Sequence, residues 1–174
     1  MSEHIEGGFT GVAGGRIYWQ GWIPEAPIGA VVIVHGVAEH GGRYAYVAEK
    51  LNDAGYAVYA IDHRGHGKSE GGRSNIDRID GVVADLHTLI GVAFDKHPDR
   101  PVFLLGHSMG ALISLQYLSG SPADLHGAVV IAPPVDVAVG TALERAAAPI
   151  LSRIVPSFGV LKLDSEFVSR DPDV

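Results

Sequence analysis

Val102-Phe103-Leu104-Leu105-Gly106-His107-Ser108-Met109-Gly110, running on into Ala111-Leu112, is the stretch that decides the fold. Val102–Leu105 is a short apolar run and reads as a buried strand. Leu112, Leu115 and Leu118 then recur at helical spacing up to Gly120, a plausible helix stop. Between the two lies the pattern G-x-S-x-G. Gly106 and Gly110 allow a sharp turn where a Cβ would clash with strand and helix, and such a turn thrusts the Ser108 hydroxyl to the top of a sheet. The helix that starts beneath it offers unpaired N–H groups and a positive dipole end, suited to a developing negative oxygen. Ser108 is the candidate nucleophile.

Three further apolar runs, Ala30–Val34, Ala57–Ile61 and Ala128–Ile131, have the near-continuous hydrophobicity of strands buried on both faces. Val47, Leu51 and Ala54, ending at Gly55, predict one helix. Ile79, Val83, Leu86, Ile90 and Ala93, ending before Pro98, predict another. Strands alternating with helices predict an α/β fold: a mostly parallel, doubly wound sheet with helices on both faces. Ahead of it, Phe9–Val12 and Arg16–Trp22 read as an antiparallel hairpin turning at Gly14-Gly15. The rhythm breaks at Pro133. Residues 1–132 are read as the core, and 133–174 as a separate apolar, helical segment, either a packing layer or a cap over a site. Leu143, Ala147, Ile150, Leu151 and Ile154 would share its face, interrupted near Pro149.

Composition narrows the function. Of 174 residues 47% are apolar and 19% charged, with mean hydropathy +0.18, enough to build a core. Thirteen Lys and Arg against 20 Asp and Glu leave a net charge of −7, which argues against a nucleic-acid partner. The absence of Cys excludes disulfides, thiolate metal sites and a cysteine nucleophile. No signal peptide is visible in Met1–Glu6, and no apolar run reaches the roughly 18 residues of a membrane span. The expectation is a soluble protein, cytoplasmic or resting on a membrane surface.

Two loops follow strands. In His35–Tyr44 (HGVAEHGGRY) the Gly-rich turn is where this architecture places its second oxyanion donor, so the backbone N–H groups of Val37 and Met109 are the expected pair. His35 is read as a buried histidine bonding backbone groups. In Asp62–Gly71 (DHRGHGKSEG), Gly67-Lys68-Ser69 imitates the end of a phosphate loop, but Asp62 stands where that motif needs Gly and no helix follows directly. Asp62, His63 and His66 lack a further ligand at a recognisable spacing. A tight turn ordered by these side chains is expected, with neither metal nor cofactor.

These two loops and the Gly106–Gly110 turn resemble the monoacylglycerol lipase branch of the α/β-hydrolase superfamily. Leu161–Asp164 and Ser169–Pro172 resemble its bacterial members. The resemblance runs from residue 35 to the end of the sequence. It implies an α/β-hydrolase fold with a cap inserted after the sixth strand, which favours the cap reading of 133–174. It also implies a serine hydrolase that releases a fatty acid from a single-chain glycerol ester, with Ser108 as nucleophile and Val37 and Met109 as donors. Glu39 and Arg43 would lie near the glycerol end of the pocket. The alternative for that pair is a surface ion pair at i, i+4 on the start of a helix. An apolar cap would suit an acyl chain and contact with a lipid surface.

The mechanism is incomplete in this sequence. A serine needs a histidine base held by a carboxylate, in the chain order Ser, Asp or Glu, His. The only histidine after Ser108 is His126. It is placed at the wrong end of its strand to reach Ser108, while His107 is expected to point elsewhere. The expectation is that the sequence stops inside the cap, that it is the N-terminal part of a longer protein, and that the missing Asp and His lie on a second polypeptide or an absent segment. Rival readings are a lysophospholipase or small-ester esterase of the same fold, a low-turnover ligand-binding receptor, and an inactive fragment.

Overall fold

Gly29–Val34 and Tyr56–Ile61 are almost wholly apolar, and the strands they form are buried along nearly their full length. In the computed structural model, which describes residues 2–120 and 125–135, they lie at the centre of a six-stranded sheet. The strands are β1 (Glu3–Thr10), β2 (Arg16–Ile23), β3 (Gly29–Val34), β4 (Tyr56–Ile61), β5 (Val102–His107) and β6 (Gly127–Ile131), in the spatial order β1-β2-β4-β3-β5-β6. β4, β3, β5 and β6 run parallel, whereas β2 pairs antiparallel with β4 and β1 antiparallel with β2. The helices are α1 (Ala45–Asp53), α2 (Ile79–Lys96) and α3 (Met109–Ser119). The expected mostly parallel α/β architecture is therefore present.

Apolar side chains alternate between the two faces of the central strands. Val32, Val34, Tyr59 and Leu104 meet Leu86, Leu89 and Ile90 of α2 and Ile113 and Tyr117 of α3. On the opposite face Val31, Ile33, Val58 and Ala60 meet Ala48 of α1, with Val47, Leu51, Phe103 and Leu105 partly buried around them.

Four expectations need correction. β1 begins at Glu3 and ends at Thr10, so Gly11 and Val12 belong to the turn. Its extent was hidden because its residues alternate between exposed and half-buried, and Gly7 is there only because a Cβ would run into the Trp19 ring. On α3 the leucines are not the buried stripe. Gly110, Ala111, Ile113, Ser114 and Tyr117 face the sheet, and Leu115 is exposed. On α2, Val82, Asp85 and Leu89 share the buried face with Leu86, Ile90 and Ala93, while Ile79 is exposed. Finally, β6 is not buried on both faces. It is the outermost strand among the described residues, leaving Val129 54% and Ile131 44% exposed. The expected cap, from residue 136 onward, lies outside the described residues.

Candidate active site

In a parallel sheet a crevice opens where successive connections leave in opposite directions. Here β3 lies between β4 and β5, so the chain passes to one side of β3 and then back past it to the other. The loops after β3 and β5 border that crevice. They carry His35–Tyr44 and Ser108.

Ser108 joins β5 to α3 with φ 53° and ψ −121°, a conformation that L-residues adopt only under constraint. The constraint is visible. A Cβ on Gly110 would overlap the carbonyl oxygens of Val34 and His35, and one on Gly106 would overlap the Ser114 hydroxyl and the Gly110 carbonyl. The Ser108 N–H donates to the Ile131 carbonyl (3.0 Å), and its own carbonyl accepts from Ala111 (2.9 Å) and Leu112 (3.2 Å). Ser114, buried, donates to the Gly110 carbonyl at 2.7 Å and braces the first turn from below. The sharp turn expected of G-x-S-x-G is what the chain forms.

Met109 is the first residue of α3, so its N–H has no carbonyl within the helix. Its side chain packs on the core, and that of Val37 is exposed. Gly36 brings the β3 loop against the serine: a Cβ there would lie 3.3 Å from Ser108 Cβ.

Glu39 is built into this loop. Its Oε2 accepts the Gly36 N–H (2.9 Å) and the Tyr44 hydroxyl (3.0 Å), and lies 3.6 Å from His107 Nδ1. Burial pushes its carboxyl up. The Gly36 and Tyr44 hydrogen bonds and the His107 and Arg43 charges outweigh burial and hold it below the ordinary value. Tyr44 is raised by burial first and by Glu39 second. Arg43 Nη1 stands 3.7 Å from Glu39 Oε1, so the ion pair exists. Arg43 stands in the 3₁₀ turn, Gly41–Tyr44, that leads straight into α1, and Glu39 lies just before it. The Glu39 side chain is 19% exposed against 57% for Arg43. Both line a cleft of about 330 Å³ with Tyr44, Leu105, His107 and Ile131.

Sequence reasoning gave no role to Tyr44 or His107. The available signal was the period of two along β5, which puts His107 on the same side as Phe103 and Leu105, towards the elements around α1.

His35 is buried, with Nδ1 2.7 Å from the Gly36 carbonyl and Nε2 accepting the His63 N–H at 3.0 Å. Burial lowers it to about 4, and holds the fully enclosed His63 well below the ordinary histidine value. Asp62 orders both loops, accepting the Gly41 N–H (2.7 Å) and the Lys68 N–H (2.8 Å). His126 precedes β6 and donates its N–H to the Val102 carbonyl, at the end of the sheet away from Ser108. His107 faces Glu39 and Tyr44. Among the described residues no cluster of His, Asp or Glu is placed to hold a metal ion, and no helix is long and apolar enough to cross a membrane.

The chain is 42% identical to the monoacylglycerol lipase of Mycolicibacterium smegmatis over 99% of its own length and 62% of that protein's. It is 34% identical to the monoglyceride lipase of Rattus norvegicus, covering 91% of the chain and 53% of the relative. Among solved structures it is similar to the monoacylglycerol lipase of Paleococcus ferrophilus, with TM-score 0.73 and 32% identity over 98% of the chain and 60% of that structure. The chain thus spans between half and two thirds of the length of these relatives. Residues 25–174 match the family model described as serine aminopeptidase S33, Hydrolase_4, and the chain belongs to that family of α/β hydrolases.

Proposed function

We propose that this chain carries the nucleophile and the oxyanion side of a carboxylic ester hydrolase that releases a fatty acid and glycerol from monoacylglycerol. The observation that carries the reading is the backbone of Ser108, held at φ 53° between two glycines that admit no side chain. The substrate class rests on the three relatives above, each named as a lipase of this ester.

In the first step the Ser108 hydroxyl oxygen attacks the ester carbonyl carbon and its proton passes to an imidazole base. The carbonyl oxygen, now negative, accepts hydrogen bonds from the Val37 and Met109 amides. Collapse expels glycerol, which takes the proton from the imidazolium. Water then attacks the acyl-serine by the same route and frees the fatty acid. The base and its carboxylate come from outside the described residues, on a further segment or a second polypeptide. Glu39 and Arg43 border the alcohol side. A carboxylate kept ionised accepts hydrogen bonds from glycerol hydroxyls, and the half-exposed guanidinium donates to them. A fatty-acyl glycerol ester as substrate suits a cytoplasmic or peripherally membrane-associated enzyme.

The test is intact-mass analysis of the source protein after a serine-directed phosphonate, followed by turnover of glyceryl and ethyl esters of one acyl chain. The expected result is one adduct on this chain, lost in Ser108→Ala, and a Glu39→Ala variant that loses preference for the glyceryl ester. An adduct that persists in Ser108→Ala, or a panel in which lysophospholipids outrun monoacylglycerols, overturns the respective half of the reading.

A further inference from the structure

The Gly36 carbonyl and the Val37 N–H belong to one planar, trans peptide, so they point in opposite directions and whatever fixes one fixes the other. A side chain fixes the carbonyl. His35 Nδ1 lies 2.7 Å from the Gly36 oxygen, and only a protonated nitrogen meets a carbonyl at that distance. The second ring nitrogen, Nε2, faces the His63 N–H at 3.0 Å and so must be bare. The tautomer is thereby settled by geometry. The ring is buried against those of His63 (4.3 Å between centroids) and His66 (5.3 Å), where bulk water does not compete for either bond. The nitrogen of Gly36 is held as well, by Glu39.

We infer that His35 is a positioning residue of the oxyanion site: its Nδ1–H clamps the Gly36–Val37 peptide so that the Val37 N–H is turned away from the core and held ready for the substrate oxygen. The inference rests on the hydrolase reading above and adds to it a residue that never touches substrate. Donation to the carbonyl also polarises the peptide, which strengthens the N–H as a donor at its other end. Asp62 cannot substitute, because both its oxygens act as acceptors, for the Gly41 and Lys68 amides, and the Gly36 carbonyl needs a donor.

Two substitutions separate the two nitrogens. His35→Asn places an amide NH₂ near the Nδ1 position and keeps the donor to Gly36, losing the acceptor for His63. His35→Gln places an amide oxygen near the Nε2 position and keeps that acceptor, losing the donor. Each leaves one backbone group unpaired, so both lose stability to a similar degree, and the difference between them is the readout. In the complete hydrolase, His35→Gln is expected to lower kcat about 10²-fold, the scale of one oxyanion donor, with KM held within about twofold. His35→Asn is expected to keep kcat within about fivefold of the wild type. The Val37 amide resonance in a ¹H–¹⁵N spectrum should move in His35→Gln and stay in His35→Asn. Equal losses of kcat, or a Val37 resonance that responds alike in both, would overturn the assignment. A wild-type protein with no esterase activity would refute the hydrolase reading alone, and the Val37 comparison would still decide the role of His35.

Discussion

Gly110 stands so close to the Val34 carbonyl that a methyl group on it would occupy the same space as that oxygen. The contact joins the first turn of α3 to the end of β3, and it sets where Ser108 sits relative to the loop that begins at His35. Gly110→Ala must push the helix off the strand. A loss of at least about 3 kcal/mol is expected in chemical denaturation. Gly91, in the middle of α2, is the control. Nothing lies within 4 Å of a Cβ there, so Gly91→Ala should gain about 0.5–1 kcal/mol.

The strain at Ser108 gives a second expectation. A residue with a Cβ at φ 53° and ψ −121° costs on the order of 1–3 kcal/mol, and glycine adopts that conformation freely. Ser108→Gly should therefore raise the unfolding free energy by about 1 kcal/mol, after glycine's own entropic cost, while abolishing phosphonate labelling. Denaturant midpoints and intact mass on one preparation measure both. A variant that is less stable than the wild type would show that the turn is not strained.

Asp62 binds two loops through backbone amides, with no water-exposed lone pair to spare. In Asp62→Asn one oxygen becomes an NH₂ that faces a backbone N–H, so one acceptor is lost and one repulsion gained. A loss of about 3 kcal/mol is expected, with the Gly41 and Lys68 amides exchanging faster against deuterium. Unchanged exchange at both would rule out the role given to the carboxylate.

The pH response follows from His35. Its folded value is about 4 against the ordinary histidine value of 6.5, lowered chiefly by burial, with His66 adding to the fall and the Gly36 carbonyl, Asp62 and Glu39 opposing it. Above pH 6.5 neither the folded nor the unfolded form binds a proton there, and its contribution is complete. As the pH falls towards 4 the unfolded chain takes up a proton that the folded chain refuses, so stability drops. Below about 4 this contribution stays lost. The shift corresponds to about 3 kcal/mol, and His63, also lowered by burial, adds to the loss in the same direction. Denaturation between pH 7 and pH 4 should show the decline, reduced in His35→Asn.

The strands and the Ser108 turn were legible in the sequence because their determinants are local: apolar runs of strand length, and glycines where backbone meets backbone. The face of α3 was not, because the approach of Gly110 to β3 sets it rather than the leucines along the helix. The first half of β1 was missed for a similar reason. A Cβ on its Gly7 or Gly8 would meet the side chain of Trp19 or Arg16 on the next strand, which only the pairing reveals. The Glu39–Tyr44–His107 cluster joins residues more than 60 positions apart, and the parallel pairing of β3 with β5 brings them together. The motif named the residues, but their contacts belong to the sheet.

The Ser108 N–H finds its acceptor on Ile131, and every other bond described around the nucleophile and the β3 loop closes earlier in the chain. Chains emerge from the ribosome amino end first, and domains fold as their segments become available. The loop after β3 and the turn at Ser108 can thus be finished once Ile131 is free, with the Gly36–Val37 peptide already oriented. On the proposed mechanism, the base that completes the reaction would meet a completed socket.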